Sequence, residues 1–211
     1  MESSPDWLYV FRLALKILSH ENIPKSQWSF GGGTALMTYY NHRKSKDIDI
    51  FLHDVQLLTR FSPRLNDYVA SRTDDYTEMS NFLKLKVEQQ ELDFIVAPFL
   101  TRNPTIKKVI ENVLVNVEAP EEIVIKKIFY RADAFKTRDI VDLALVIKHK
   151  ESSLIENLGI FQSKIDILQH RLDILKKVYA IELKSLDIID KKTAKEAPKI
   201  VKSFLDKLKS L

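Results

Sequence analysis

The chain has 211 residues, of which 45% are apolar and 29% are charged, so it is long enough for one well-buried domain and a smaller one. It contains no cysteine, which excludes disulfides, thiolate nucleophiles and cysteine-ligated zinc. No apolar run approaches the roughly 20 residues of a membrane-spanning helix, and the first residues carry no basic targeting segment. We therefore expect a soluble, cytoplasmic protein with no membrane partner.

The formal charge is +4, and the excess lies at the C-terminal end. Residues 184–211 contain eight Lys and four Asp or Glu, which leaves 25 residues of each sign in the rest of the chain. A basic segment of this kind is able to approach a phosphate backbone. A solvated helix face, with lysines that maintain solubility, explains the same pattern equally well.

The first 40 residues predict a helix, a short strand, a glycine turn and a second helix. Ser4 and Pro5 are typical of a helix start, and apolar residues at three- and four-residue spacing continue the helix to about residue 20. Residues 28–30 are extended, and the glycines after them lead into a helical segment over residues 34–40.

Alternating polar and apolar side chains predict strands in the middle of the chain, and two of these strands form a hairpin. Between the first strand and this hairpin, residues 54–72 have helical spacing that Pro63 breaks or kinks. The predicted strands are residues 47–52, 82–88, 92–96 and 113–117.

The pattern after Pro120 is helical to the end of the chain. A boundary near residue 150 divides a mixed sheet-and-helix domain, residues 1–150, from a helical bundle, residues 151–211. The predicted fold class is therefore α+β, a small mixed sheet flanked by helices and followed by a C-terminal helical bundle. The predicted helices are residues 121–132, 137–149, 153–181 and 197–209.

Three carboxylates are the candidate metal ligands. Asp47 and Asp49 are two apart in a strand, so their side chains point to the same side while Ile48 and Ile50 anchor the other face. Asp93 lies inside the apolar run of residues 92–96, where an unpaired charge is costly and a metal or a partner would compensate it. Oxygen ligands favour Mg²⁺ or Mn²⁺. The alternative for Asp93 is a strand-end carboxylate bonded to turn amides.

A cluster of glycines precedes the second helix and predicts a phosphate site. Gly32, Gly33 and Thr34 offer backbone N–H groups at the positive end of that helix, where an anion is stabilised. A tight turn with no ligand is the alternative. No Gly-Lys-Ser or Gly-Lys-Thr follows, so the segment is not a P-loop.

The order of these motifs resembles the nucleotidyltransferase superfamily. Within it, the segments Phe30–Leu36 (FGGGTAL) and His42–Phe51 (HRKSKDIDIF) look like the AbiEii/AbiGii toxin group, whose pattern includes a later helix with Lys followed by Arg-Asp-x-x-Asp. The residues 121–127 and Arg138–Leu143 supply that later part. The resemblance covers about residues 28–147, and the segment from Arg131 to Thr137 lacks the glycine-containing linker usual in the family.

The resemblance implies a role for each matching residue, and the roles fall into three sets. The metal ligands would be Asp47, Asp49 and Asp93, with Asp93 also acting as the base toward an attacking hydroxyl. The nucleotide would be held by Gly32, Gly33 and Thr34, by Arg43 and Ser45, and by Lys127 or the adjacent Lys126. Arg131, one helical turn after Lys127, would face the leaving phosphates, and Asp139 and Asp142 would shape the site. A solvated cationic stripe and a structural ion-pair network are the alternatives for these last residues.

The implied activity is the metal-dependent transfer of a nucleoside monophosphate from a nucleoside triphosphate to a hydroxyl acceptor. In the family this acceptor is often tRNA, and the protein is often the toxin of a toxin–antitoxin or phage-defence pair, which implies an antitoxin partner. A non-catalytic module that binds nucleotide or RNA with the same fold is the alternative function. A glycosyltransferase with an Asp-x-Asp site is a third, although 150 residues are few for its donor domain.

Overall fold

The computed structural model describes residues 6–210, which form nine α-helices and seven β-strands. The strands are β1 (Trp28–Gly31), β2 (Ile48–Leu52), β3 (Tyr76–Glu78), β4 (Phe82–Val87), β5 (Gln90–Val96), β6 (Thr105–Ile110) and β7 (Val113–Glu118). The helices are α1 (Asp6–His20), α2 (Gly32–Tyr40), α3 (Asp67–Ala70), α4 (Pro120–Arg131), α5 (Thr137–Glu156), α6 (Leu158–Phe161), α7 (Ile165–Leu175), α8 (Tyr179–Glu182) and α9 (Lys191–Leu208).

The seven strands form one mixed sheet in the order β3-β4-β5-β2-β1-β7-β6. Parallel pairs join β2 to β5 and β1 to β7, and the other neighbours are antiparallel. In the central strands one face carries the buried apolar side chains of Ile48, Ile50, Leu92 and Phe94. Because side chains alternate along a strand, the opposite face is left for polar residues.

Helix α1 covers the apolar face of the sheet through contacts with β2 and β5. Its side chains Trp7 and Phe11 pack on Phe30 of β1, with the Phe11 and Phe30 ring centroids 4.9 Å apart. The predicted first helix is thereby confirmed, while its predicted start at Ser4 and Pro5 lies outside the described residues.

Two strands and three helices differ from the sequence-based expectations. The helix predicted over residues 153–181 is divided into the end of α5 and the helices α6, α7 and α8, and the helix predicted over residues 197–209 begins at Lys191. Strands β3 and β6 lie in segments with no predicted strand, and both are edge strands of the sheet. The predicted helix over residues 54–72 is a 3₁₀ segment, Val55–Phe61, followed after Pro63 by the four-residue α3. Since Pro63 cannot continue a helical hydrogen-bond ladder, the segment stays short on both sides. The predicted β4–β5 hairpin is confirmed.

The described chain divides into two compact units. The first comprises residues 1–35, 45–99 and 105–118 and contains the whole sheet. The second comprises residues 36–44, 100–104 and 119–211; within it α5 packs on α4 and α9, and α9 also packs on α7. The predicted boundary near residue 150 falls inside α5, at a kink where Lys150 leaves helical geometry, and it stays a prediction. Among residues 6–210, no helix is long and apolar enough to cross a membrane.

Helix α9 continues through a proline. Pro198 has no N–H to donate to the carbonyl oxygen of Ala194, four residues earlier. The Tyr179 hydroxyl of α8 donates a hydrogen bond to that oxygen at 2.6 Å. Burial raises the pKa of Tyr179, so the hydroxyl keeps the proton that it donates. The helix begins at Lys191, capped by Asp190, rather than near residue 197 as predicted from the sequence.

Candidate active site

Four residues form a row across the polar face of the sheet. Lys84 of β4 is the register partner of Asp93 on β5, Asp93 is the partner of Asp49 on β2, and Asp49 is the partner of Gly31 on β1. Register partners present their side chains on the same face and close together. The sheet therefore brings Asp49 and Asp93, which are far apart in sequence, onto adjacent positions.

Gly32 makes room for the Asp49 carboxylate. A Cβ at position 32 would lie 1.8 Å from Oδ2 of Asp49, and the residue has φ +70°, a conformation that side chains other than glycine rarely adopt. The carboxylate thus lies directly against the backbone where α2 begins. At that end of a helix the N–H groups are not used within the helix and attract anions.

Thr34 holds the loop that leads into β2 in place. Its buried hydroxyl donates to the backbone oxygen of Asp47 at 2.5 Å and lies 3.0 Å from the Ser45 hydroxyl. The Asp47 carboxylate accepts a hydrogen bond from the backbone N–H of Glu91 at 3.2 Å. Because the Thr34 hydroxyl is already bonded to the protein, any phosphate contact from Thr34 would come from its backbone N–H.

Asp93 presents two different carboxylate oxygens. Oδ2 accepts from the Lys84 ammonium at 3.0 Å, whereas Oδ1 is buried and has no hydrogen-bond partner among residues 6–210. Burial raises the pKa of Asp93, although Lys84 partly opposes the rise and Glu91 and Asp47 add to it. A carboxyl whose pKa is raised in this way is a better proton acceptor than an ordinary aspartate.

Lys84 also pairs with Glu91. Burial alone would lower the pKa of Lys84, but its hydrogen bonds to Glu91 and Asp93 raise it, so the side chain is an ammonium. Lys84 and Glu91 were not among the residues that the sequence singled out. A two-residue turn at residues 88–89 places Lys84 opposite Asp93 in the hairpin. Recognition of that turn in the sequence would have identified Lys84 as a neighbour of Asp93.

The polar face offers oxygen ligands for a divalent cation but not a complete set of three. The unpartnered Oδ1 of Asp93 and the Asp49 carboxylate against Gly32 are oxygen donors of the kind that Mg²⁺ and Mn²⁺ prefer. Within residues 6–210, however, no three Asp, Glu or His side chains are close enough together to share one metal ion. Lys84 holds one oxygen of Asp93, and the Glu91 amide holds one oxygen of Asp47.

A second group of charges, the Asp142 cluster, lies in the second compact unit and consists of His42, Arg43, Lys127, Arg131, Asp139 and Asp142. Asp142 is fully buried and accepts from His42 Nε2 at 2.7 Å, from Arg43 Nε at 2.8 Å and from Arg43 Nη2 at 2.9 Å. Lys127 also donates to it. Burial alone would raise the pKa of Asp142, but Arg43 and Lys127 hold it well below its ordinary value.

Asp139 links the remaining members of the Asp142 cluster. Its Oδ1 lies 3.0 Å from Lys127 Nζ and 2.7 Å from Arg131 Nη2, and its Oδ2 accepts from the Lys136 backbone N–H at 3.1 Å. Burial opposes ionisation, but Lys127 and Arg131 lower the pKa of Asp139. The cluster therefore contains three cationic side chains and two carboxylates, the cations being Arg43, Lys127 and Arg131. The Arg131 side chain is 35% exposed.

Lys126 belongs to a different network from Lys127. Its ammonium lies 3.5 Å from Glu122, whose carboxylate also accepts from the backbone N–H groups of Leu100 and Thr101. Lys127 pairs with Asp139 and Asp142. The sequence placed Arg138 in one motif with Asp139 and Asp142, but among residues 6–210 the arginines that pair with these acids are Arg43, with Asp142, and Arg131, with Asp139.

Comparison with solved structures gives nucleotidyltransferases of low identity. The crystal structure of ANT(2'')-Ia in complex with adenylyl-2''-tobramycin matches with a TM-score of 0.55 and 16% identity, over 74% of this chain and 97% of that chain. The solution structure of ANT(2'')-Ia matches with a TM-score of 0.52 and 18% identity, over 74% and 91%. A nucleotidyltransferase-like protein from Paracoccidioides brasiliensis gives 0.46 and 19%, over 84% and 93%.

The two ANT(2'')-Ia matches show a shared fold and confirm the predicted class, a mixed sheet flanked by helices with a helical C-terminal region. No curated protein sequence matches the chain. The sequence model of the family described as nucleotidyl transferase AbiEii toxin, type IV toxin–antitoxin system, matches residues 16–207. The chain therefore belongs to the AbiEii family and is a nucleotidyltransferase.

Proposed function

We propose that the protein transfers a nucleoside monophosphate from a nucleoside triphosphate to a hydroxyl of an RNA acceptor, in a reaction that depends on Mg²⁺ or Mn²⁺. The observation that carries this proposal is the register of Asp49 with Asp93, with Gly32 directly against the Asp49 carboxylate. Two carboxylates beside a helix N-terminus are an arrangement that serves a metal-bound polyphosphate.

In the proposed reaction, Asp49 and Asp93 would hold the cation, and Asp47, one of whose oxygens accepts from the Glu91 amide, would join them as the ion binds. The ion supplies charge neutralisation at the phosphorus under attack. Asp93 accepts the proton of the attacking hydroxyl, and the raised pKa of Asp93 favours that transfer. The new bond joins the acceptor oxygen to the α-phosphorus, and pyrophosphate leaves.

The triphosphate is assigned to the backbone N–H groups at the start of α2. The amides of Gly32, Gly33 and Thr34 begin α2, a helix of nine residues. Within the second unit, the excess positive charge of the Asp142 cluster supports Lys127 and Arg131 as ligands for an anion, with Arg43 and Asp139 orienting them. The Ser45 hydroxyl lies 3.0 Å from the Thr34 hydroxyl, which supports a role for Ser45 in holding the loop before β2. Lys126 is a weaker candidate than Lys127 for a ligand of an anion, because its ammonium pairs with Glu122.

An RNA acceptor is supported by the lysines of α9. Lys192, Lys195, Lys199 and Lys202 recur at three- and four-residue spacing on its exposed face, opposite the buried Ala194, Ala197 and Val201. None of these four lysines forms an ion pair among the described residues, so they are available to phosphates. The family's type IV toxin–antitoxin description supports a toxin role and an antitoxin partner, and a cytoplasmic location suits an RNA acceptor.

The test is a transfer assay with each labelled nucleoside triphosphate, Mg²⁺ and cellular RNA, followed by mass spectrometry of the RNA. We expect label in RNA with the wild-type protein and a loss of at least about 100-fold in Asp47→Ala. Asp74→Ala, an exposed aspartate in the same unit, is the control and should retain activity.

The assay also separates the competing functions. Nucleotide or RNA binding without transfer would favour the non-catalytic module and contradict the proposal. An aminoglycoside is included as a second acceptor because the ANT(2'')-Ia complex contains adenylyl-2''-tobramycin. Labelling of the aminoglycoside but not of RNA would overturn the RNA acceptor and keep the transfer chemistry. A parallel reaction supplied with a nucleotide sugar tests the glycosyltransferase, which would transfer the sugar and release nucleoside diphosphate.

A further inference from the structure

Lys84 occupies the position beside the candidate base. Its ammonium lies 3.0 Å from Asp93 Oδ2 and also pairs with Glu91. We propose that Lys84 is a positioning residue that reserves Asp93 Oδ2, so that a divalent cation receives only Oδ1 from Asp93 and is bound more weakly than the acids alone would bind it. This inference rests on the proposed function, because it concerns the same cation.

The position of Lys84 follows from the alternation of β4. Leu83 and Leu85 are buried on the apolar face, which places Lys84 on the polar face opposite Asp93. The contact is made across adjacent strands and is partly buried, with 26% of the Lys84 side chain exposed. Such a contact is screened by salt less than a surface ion pair.

The other lysine of β4 on the same face provides a matched comparison. Lys86 is two residues further along the strand and is opposite Glu91, but its ammonium lies 2.9 Å from Asp75. It therefore carries the same charge on the same strand without contacting Asp93. If only the overall charge of this face mattered, Lys84 and Lys86 would affect cation binding alike.

Two consequences for a bound cation follow from these contacts. The ammonium repels a divalent ion directly, because like charges a few ångströms apart interact strongly in a partly buried site. It also keeps one oxygen of Asp93 and the Glu91 carboxylate engaged, so neither is a free ligand. Removal of the ammonium should therefore strengthen cation binding, whereas loss of a merely structural ion pair would leave binding unchanged or weaken it.

The test is a titration of the nucleotide-free protein with Mn²⁺, followed by electron paramagnetic resonance of the unbound ion. We expect Lys84→Met to bind Mn²⁺ more tightly than the wild type, on the order of tenfold. Lys86→Met should change the affinity less than about twofold, and Lys84→Arg, which keeps the charge, should stay near the wild-type value. Circular dichroism and thermal unfolding in EDTA establish that each variant is folded.

A double variant shows whether Asp93 is the group through which Lys84 acts. In the Asp93→Asn background, Lys84→Met should raise the Mn²⁺ affinity less than it does in the wild-type background, because only the relief of repulsion remains and no Asp93 carboxylate oxygen is released. Equal affinity in the wild type and Lys84→Met, or no binding in either, would overturn the assignment. The transfer assay with Asp47→Ala decides the proposed function separately, so the two can fail independently.

Discussion

Gly32 is the position at which a single methyl group should matter most. Its positive φ and the 1.8 Å approach of a Cβ to Asp49 Oδ2 leave no room for alanine. We expect Gly32→Ala to destabilise the fold by about 1–3 kcal/mol and to abolish transfer, because the Asp49 carboxylate has to move. Gly159→Ala is the control: nothing lies within 4 Å of its Cβ, so stability should hold or rise. Equal effects of the two substitutions in denaturant unfolding would contradict this explanation.

Asp142 should stabilise the protein through its charge. Asp142→Asn leaves the buried Arg43 and Lys127 without their shared anion, which should cost about 3–5 kcal/mol at pH 7. Asp166→Asn, at an aspartate with 88% of its side chain exposed, should have no measurable effect. Urea unfolding of the three proteins measures the difference.

The same carboxylate predicts a pH dependence. The pKa of Asp142 is lowered in the folded protein from an ordinary value of 3.8, so its ionised form stabilises the fold above about pH 3.8. This contribution is lost as the pH falls through the folded-state pKa, below 3.8. The difference in unfolding free energy between wild type and Asp142→Asn should therefore be constant from pH 7 to about 5 and should narrow in acid. A difference independent of pH would show that the charge is not its source.

Local sequence predicted the acids of the polar face but not their partners. The alternation around Asp47 and Asp49, and the isolated acid in the apolar run at Asp93, are visible in the sequence because strand geometry fixes which side chains share a face. Lys84 and His42 were missed because their roles depend on pairing with residues that are distant in sequence or on another strand. A residue that acts through such a contact leaves no periodic signal.

At the scale of elements, α9 depends on a hydroxyl from α8. We expect Tyr179→Phe to cost about 1–3 kcal/mol, because the buried carbonyl oxygen of Ala194 loses its donor. Pro198→Ala restores a backbone donor to that oxygen, so Tyr179→Phe should cost clearly less in the Pro198→Ala background. Denaturant unfolding of the four proteins gives this comparison, with the exposed Tyr9→Phe as control. The same cost in both backgrounds would show that the hydroxyl acts elsewhere.

Elements with strong periodicity were predictable, and elements defined by their neighbours were not. The helix α1 and the β4–β5 hairpin each carry a clear repeat of apolar residues. Strand β3 is three residues long, and β6 has exposed Ile106 and Val109 with two lysines between them, so neither shows a buried face in its sequence. Both are strands because an adjacent strand supplies the hydrogen bonds.

At the scale of the whole molecule, charge placement should govern RNA binding. Substitution of Lys192, Lys195, Lys199 and Lys202 by Gln should weaken binding at low salt. It should also reduce the slope of log affinity against log salt by about 0.7 for each lysine that contacts single-stranded phosphate. The control replaces four exposed lysines outside α9, at positions 16, 107, 176 and 177. Filter binding over a range of salt concentrations measures both slopes, and equal slopes would exclude α9 as the contact surface.

The turn between β4 and β5 has a consequence for how such a protein can change over generations. Only Glu88 and Gln89, both exposed, separate the two strands, and Glu88 adopts a positive φ of 57°. A hairpin slipped by one residue reverses the orientation of every side chain on the slipped strand. If the hairpin absorbed an inserted residue as a one-residue slip of β4, Lys84 would turn toward the apolar face, with no substitution at any acid. A change in the length of the exposed turn at Glu88 and Gln89 can thereby alter the contact between Lys84 and Asp93, several residues away.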